Sequence, residues 1–237
     1  MISNFKFLGL AFFFLTATAQ AVQANALPKH IQANYTVSKN GSVFAKVREQ
    51  YAVTGNTYKV ESITKGVGIY ALLGTRKLTS TGKVTPQGLQ PARFELHQGR
   101  GDKKTLISDF DWPKNTLHMQ IKGVNQDAVL SAGTQDLANY AYQFMFLPRP
   151  IKDSLTVTLT TGKKLNVYQY KINEESLNIA GKTYKTVHLV PSDQPKDQIE
   201  TKELWLAVEQ NYLMVKFLMV DEGGAKLEQT LTELHVD

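Results

Sequence analysis

Residues 105–121 read TLISDFDWPKNTLHMQI. Leu106, Ser108, Phe110 and Trp112 alternate with Ile107, Asp109 and Asp111. After Pro113-Lys114-Asn115 the alternation resumes at Leu117, Met119 and Ile121. A period of two marks a strand with one buried face, and a turn of three residues between two such runs marks an antiparallel hairpin. The same grammar holds along the chain. Val43, Ala45 and Val47 alternate with Phe44, Lys46 and Arg48. Tyr58 and Val60 alternate with Lys59 and Glu61, and Leu155, Val157 and Leu159 form a later run. Asn40-Gly41, Gly55-Asn56, Pro86-Gln87-Gly88, Thr161-Gly162 and Gly223-Gly224 supply the turns. Spacings this short favour antiparallel hairpins, because parallel crossovers need a dozen or more residues. The expectation is a mainly β protein of about a dozen strands, built as a strongly curved antiparallel sheet or incomplete β-barrel.

One stretch breaks the pattern. From Thr134 to Leu147 the apolar residues Leu137, Tyr140, Ala141, Phe144 and Leu147 recur at helical spacing, and Pro148 stops the run. Thr134 reads as an N-cap, with Asp136 complementing the helix dipole. Tyr142, Met145 and Phe146 lie off that stripe, so the helix is greasy on most sides. The pattern therefore predicts one helix over about 134–147, packed on the concave face of the sheet between two β-rich halves of a single domain, residues 27–237.

The first 26 residues read as a leader. Lys6 precedes the apolar run from Phe7 to Leu15, and Ala24-Asn25-Ala26 is a small-residue cleavage pattern. The run is too short to span a bilayer, and no Cys follows it for lipid attachment. The expectation is export to the periplasm with cleavage after Ala26 and no membrane-spanning segment thereafter. The chain has no cysteine, which excludes disulfides, thiol catalysis and thiolate metal sites. Its net charge of +6 arises from 27 basic and 21 acidic residues mixed along the chain. That distribution is not a nucleic-acid footprint.

Several segments together resemble a known family. They are Tyr35-Thr36-Val37, Tyr58-Lys59-Val60-Glu61-Ser62, Ser80-Thr81-Gly82-Lys83-Val84, Gly88-Leu89-Gln90-Pro91-Ala92-Arg93-Phe94, and Phe110-Asp111-Trp112. Gln135-Asp136, Glu203-Leu204-Trp205-Leu206-Ala207 and Tyr212-Leu213-Met214-Val215-Lys216 follow in order. This order resembles the exported bacterial proteins of domain-of-unknown-function family 3108, although Ala138-Asn139 stand where that family usually has a Ser. The resemblance implies a periplasmic, β-rich protein, and by analogy of fold the curled-sheet plan of periplasmic lipoprotein carriers.

The chemistry-bearing residues are sparse. No two of His30, His97, His118, His188 and His235 lie at metal-pair spacing. Asp109 and Asp111 share a strand face, the arrangement of a cation site or an acid–base pair, yet Phe110 and Trp112 claim the opposite face for the core and leave the aspartates in water. No nucleophile elbow or phosphate-binding glycine loop occurs. No catalytic residue, metal or cofactor is therefore expected. Arg76-Lys77, Arg100, Lys103-Lys104 and Lys163-Lys164 are basic positions at strand ends, able to meet anionic lipid phosphates only if the fold brings them together.

The remaining oddity is GVGIYALLG, residues 66–74. It reads either as a glycine-bent corner filling the core or as a greasy lip at the mouth of a half-barrel. The functional expectation is a non-enzymatic envelope protein that binds an apolar or amphipathic, lipid-like molecule. Its candidate ligand residues are Ile69, Tyr70, Leu72 and Leu73 on the lip and Tyr140, Phe144 and Met145 on the helix. The alternatives are an envelope structural module that contacts a protein partner, and an unrecognised hydrolase.

Overall fold

Asn40 and Gly41 have φ values of 49° and 83°, and Lys122-Gly123 and Ala180-Gly181 repeat the pattern at 52° and 83° and at 51° and 80°. Two successive residues at positive φ form the type I′ turn, whose twist matches that of paired antiparallel strands. These turns are the tight joints of a long meander. The computed structural model describes residues 27–99, 104–151, 154–192, 201–221 and 223–237. The expected leader and cleavage pattern, residues 1–26, lie outside the described residues.

The first arm of the meander comprises β1 (His30–Lys39), β2 (Ser42–Thr54), β3 (Thr57–Gly66), β4 (Thr75–Thr85), β5 (Gly88–Gly99), β6 (Lys104–Asp111), β7 (Thr116–Ile121) and β8 (Val124–Val129). The second comprises β9 (Gln135–Asp136), β10 (Ser154–Thr160), β11 (Leu165–Ile179), β12 (Lys182–Pro191), β13 (Thr201–Ala207), β14 (Leu213–Val220) and β15 (Lys226–Val236). All fifteen described strands join in one sheet in the order β8 to β1, then β15 to β9. The chain thus runs from the middle of the sheet to one edge, crosses over, and returns from the other edge. β1 and β15 close the middle, with Ile31 opposite Val236 and Tyr35 opposite Leu231.

The sheet curls without closing into a barrel. The end of the second arm reaches the first arm across the interior: Gln135 Nε2 of β9 donates to the Leu89 carbonyl of β5 at 2.9 Å, and Thr160 Oγ1 of β10 lies 3.7 Å from Met119 Sδ of β7. Gly162, at the tip between β10 and β11, sits on Phe94 and Leu106 so closely that a Cβ there would lie 3.1 Å from each. The alternation in residues 105–121 matches the burial. Leu106, Ser108, Phe110, Leu117 and Met119 are buried, and Leu106 pairs with Ile121 across the hairpin.

The crossover differs from the expected helix. Gln135–Asp136 is a strand pairing in parallel with Leu159–Thr160 of β10. Only Tyr140–Gln143, here α1, is α-helical, continued by a 3-10 turn, Phe144–Phe146. Side-chain bonds local to the segment compete with the helix at its start. The Asp136 carboxylate accepts the Ala138 and Asn139 N–H groups at 2.9 and 3.1 Å, and the Asn139 side chain takes the Asp136 N–H at 2.8 Å. Thr134 bonds back to the Ser131 carbonyl rather than capping a helix. The segment nonetheless packs as the amphipathic pattern demands. Tyr142 and Met145 join the core lined by β1 to β7, while Ala141 and Phe144 join the core lined by β11 to β14. It is the wedge that holds the two arms of the curl together.

Candidate functional site

The wedge is fixed by a fully buried chain of polar groups. Asp136 has 0 % exposure, as do Ser80 and Asn139. Ser80 Oγ and Asp136 Oδ2 share a hydrogen bond of 2.5 Å, the Tyr58 hydroxyl and Ser80 Oγ share one of 3.0 Å, and Asn139 Nδ2 donates to Tyr58 at 2.7 Å. Burial pushes the Asp136 carboxyl up to about 7, against the opposing pull of the Ser80 hydroxyl and the two backbone N–H groups. A serine beside a carboxylate superficially resembles a nucleophile and its base. Here both are sealed from solvent, and every bond ties the crossover to β3 and β4.

A second polar residue interrupts the concave face of β2. Glu49 lies in the row of Ala45, Val47 and Tyr51, and accepts hydrogen bonds from Ser62 Oγ and the Tyr142 hydroxyl, both at 3.1 Å. Burial raises its pKa, and the two hydrogen bonds and the positive charge of Arg76 work the other way. Arg76, half-buried on β4, belongs to the next feature.

At one end of the sheet, register aligns the strand ends. Arg76 pairs with Gln98, Gln98 with Lys104, and Leu106 with Ile121, immediately before Lys122. Between them and Lys163 runs a groove of about 410 Å³. Its described lining holds four cations, Arg76, Lys104, Lys122 and Lys163, and no carboxylate. Beneath the cations lie Leu96, Leu106, Ile121 and Leu137. Three of the basic strand-end positions singled out in the sequence thus converge; Lys122 was missed because it sits alone in its turn. Arg100 and Lys103 fall outside the described residues.

Leu137 also lines a second feature, an apolar slot under Tyr140 and Phe144 walled by Val157, Leu159 and Tyr168. The slot encloses about 30 Å³ of free space, about the share of one water in the liquid. Lys202 closes its far side, its Nζ 2.9 Å from the Tyr168 hydroxyl and 4.9 Å from the ring centroid. A cationic groove and an apolar slot thus meet at one leucine.

The expected ligand residues separate into three places. Tyr140 and Phe144 border the slot. Met145, 1 % exposed, is core. Ile69, Tyr70, Leu72 and Leu73 line neither the slot nor the groove. They project from a 3-10 turn, Gly68–Leu73, with exposures of 76, 47, 64 and 70 %. The core-filling reading of this stretch is therefore corrected, since no residue of the turn is buried. Turn and helix residues thus share neither the slot nor the groove. The turn leaves the sheet because β3 and β4 continue their ladder to Lys65 and Thr75, so the residues between them can only cap the hairpin end.

Asp109 and Asp111 do not act as a pair. Asp109 binds Arg93 at 2.7 Å and Asp111 binds Lys114 at 2.9 Å. On the outer face, cross-strand neighbours Arg93, Asp109, His118 and Asp127 alternate nitrogen-bearing and carboxylate side chains over a shallow hollow of about 530 Å³. Exposed pairs of this kind contribute little individually. The hollow is larger than the apolar slot, but open and polar. His97 lies beside Glu95 on the same outer face, 3.1 Å away. Among the described residues no three His, Asp or Glu side chains form a metal-binding group, and no helix is long and apolar enough to cross a membrane.

The architecture is similar to that of a solved β-barrel-like protein of domain of unknown function DUF1849 from Brucella abortus. The TM-score is 0.55 at 11 % identity, over 89 % of this chain and 99 % of that one. A looser likeness, TM-score 0.36 at 11 % identity over 88 % and 97 % of the two chains, relates it to a protein of Parabacteroides distasonis described as a candidate lipoprotein. No curated protein matches the sequence. The model of the DUF3108 family, proteins of unknown function, matches residues 31–232, and the chain belongs to that family.

Proposed function

We propose that this protein is a non-enzymatic component of the cell envelope, exported to the periplasm, that binds an amphipathic lipid-like molecule with an anionic head. The observation that carries this reading is the junction at Leu137. Cations without a described carboxylate line the groove on one side of it, and tyrosine, leucine and phenylalanine line the slot on the other. Ligand sites are concave and largely apolar, with a few convergent polar groups to orient the ligand. An anion in the groove would meet Arg76, Lys104, Lys122 and Lys163, while its apolar tail points at the slot. The slot admits a chain only if Tyr140 and Tyr168 swing aside.

Binding of a fluorescent fatty-acid probe tests the reading. Wild-type protein should bind it, and the exposed pair Lys104→Glu/Lys163→Glu should weaken binding by about tenfold or more without altering the melting temperature. Wild-type protein that never binds the probe, or reversed charges that leave affinity unchanged, would remove the groove from the function. A protein-interaction role has one feature in its favour. β8 is an edge strand with Val124 and Val129 68 and 77 % exposed, a template for strand addition. Capture of an extended peptide on that edge, with no probe bound, would shift the assignment there.

A further inference from the structure

The turn Gly68–Leu73 is a built feature. Tyr70 N–H donates to the Val67 carbonyl and Gly74 N–H to the Ala71 carbonyl, at 3.1 and 3.4 Å, and Val67 N–H donates to Phe44 at 2.8 Å. The Tyr70 ring packs edge-on against Phe44, centroids 5.6 Å apart. The turn folds back so closely on Gly66 that a Cβ there would lie 2.2 Å from the Tyr70 carbonyl oxygen. Ile69, Leu72 and Leu73 are therefore held outward by a defined backbone. Contiguous exposed apolar side chains on a soluble surface mark an interaction site.

What surrounds the turn identifies the partner. It caps the β3–β4 hairpin at the sheet end that carries the cationic groove: Lys65 pairs with Thr75 and Arg76 with Thr64. The Asn40-Gly41 and Lys122-Gly123 turns open at the same end, where Val43 and Val124 are 52 and 68 % exposed. An exposed tip of leucine, isoleucine and tyrosine, at the same sheet end as Lys65, Arg76, Lys104 and Lys122, complements a surface that is apolar below and negative above. We infer that this end of the sheet docks on an anionic lipid bilayer, with Ile69, Leu72 and Leu73 entering the acyl boundary and Tyr70 at headgroup level. Apolar insertion and cationic attraction are each weak alone and additive at such a surface. The tyrosine position suits the preference of that residue for the interface. The groove lies at the same end of the sheet as the docking turn. The inference goes beyond ligand binding: it shares Arg76, Lys104 and Lys122 with the groove but turns on Ile69, Tyr70, Leu72 and Leu73, which the groove does not use.

Vesicle co-sedimentation tests it. The protein should sediment with vesicles of equal parts phosphatidylglycerol and phosphatidylcholine, less so as salt rises, and far less with pure phosphatidylcholine. Leu72→Asp/Leu73→Asp should weaken sedimentation by more than about tenfold while leaving the melting temperature and fatty-acid-probe binding unchanged. Leu72→Ser/Leu73→Ser is the milder pair should the acidic one melt early. Absence of wild-type sedimentation, equal binding to pure phosphatidylcholine, or full binding by both variants would each overturn the inference. So would a wild-type dimer in sedimentation velocity that dissociates on the same substitutions, because the turn would then be covered by a second copy. Probe binding that persists when docking fails leaves the groove standing on its own.

Discussion

Gly68–Leu73 (GIYALL) and Tyr140–Phe146 (YAYQFMF) are alike in composition and local shape. Both are short, apolar and tyrosine-bearing, and both coil into 3-10 geometry over part of their length. One projects into solvent and the other is the centre of the molecule. The difference lies in what precedes them. The crossover enters through Gln135, Asp136 and Asn139, whose side chains bond to Leu89, Ser80 and Tyr58 on the concave face. The hairpin turn has no such side-chain attachment: its described hydrogen bonds are backbone bonds, within the turn and from Val67 to Phe44 of β2. Apolar composition makes burial favourable, but polar attachment and the strand ladder decide which segment receives it.

The sharpest way to break this comparison is to cut into the buried member. Phe144 is 2 % exposed and packs with the β11–β14 core. Phe144→Ala should cost about 3–5 kcal/mol through lost transfer energy and the cavity left behind. Denaturant titration measures this, and a loss below about 1 kcal/mol would mean the wedge is peripheral and the contrast unfounded.

The attachment itself is open to titration. The Asp136 carboxyl, at about 7 in the folded protein against an ordinary value of 3.8, keeps its proton over a pH range in which the unfolded chain has lost it. Stability must therefore fall as pH rises from about 4 to about 7, by up to about 4 kcal/mol from this group alone. Below that window the contribution is fully present. Asp136→Asn keeps an acceptor for the Ala138 and Asn139 N–H groups and removes the titration. The stability of wild type relative to this variant should decline across the window and then level off. Parallel pH profiles for the two proteins would mean that Asp136 is ionised throughout, and that its three hydrogen bonds outweigh desolvation.

Legibility in the sequence followed the same division. Where one strand face is core and the other is water, alternation located both strands and faces, as at Leu106, Ser108 and Phe110. β13 carries Leu204 and Leu206 in one core cluster and Trp205 and Ala207 in another. Burial on both faces erases a period of two. In the crossover, apolar spacing identified the residues that pack but overstated the helix. Asp136 read as a dipole partner at a helix start, whereas it is a buried attachment to a strand distant in sequence. The groove was half visible. Basic strand ends can be seen in a sequence, but their convergence depends on register across β4 to β7 and on the curl that brings Lys163 over them.

The smallest expected effect falls on the exposed member, and it is informative because it is small. Leu72 is 64 % exposed, and the path of the turn is set by backbone hydrogen bonds and by the close approach of Tyr70 to Gly66, not by the leucine side chain. Leu72→Asp should therefore change stability by no more than about 0.5 kcal/mol, the ordinary range for a surface position. The same charge placed in a core would be left without solvent or a partner, at a cost of several kcal/mol. Thermal melting of Leu72→Asp in dilute solution decides between these cases. A loss of about 2 kcal/mol or more would mean that the protein itself covers the turn. The two greasy segments would then share one fate, and the surface assigned to a bilayer would belong to the core.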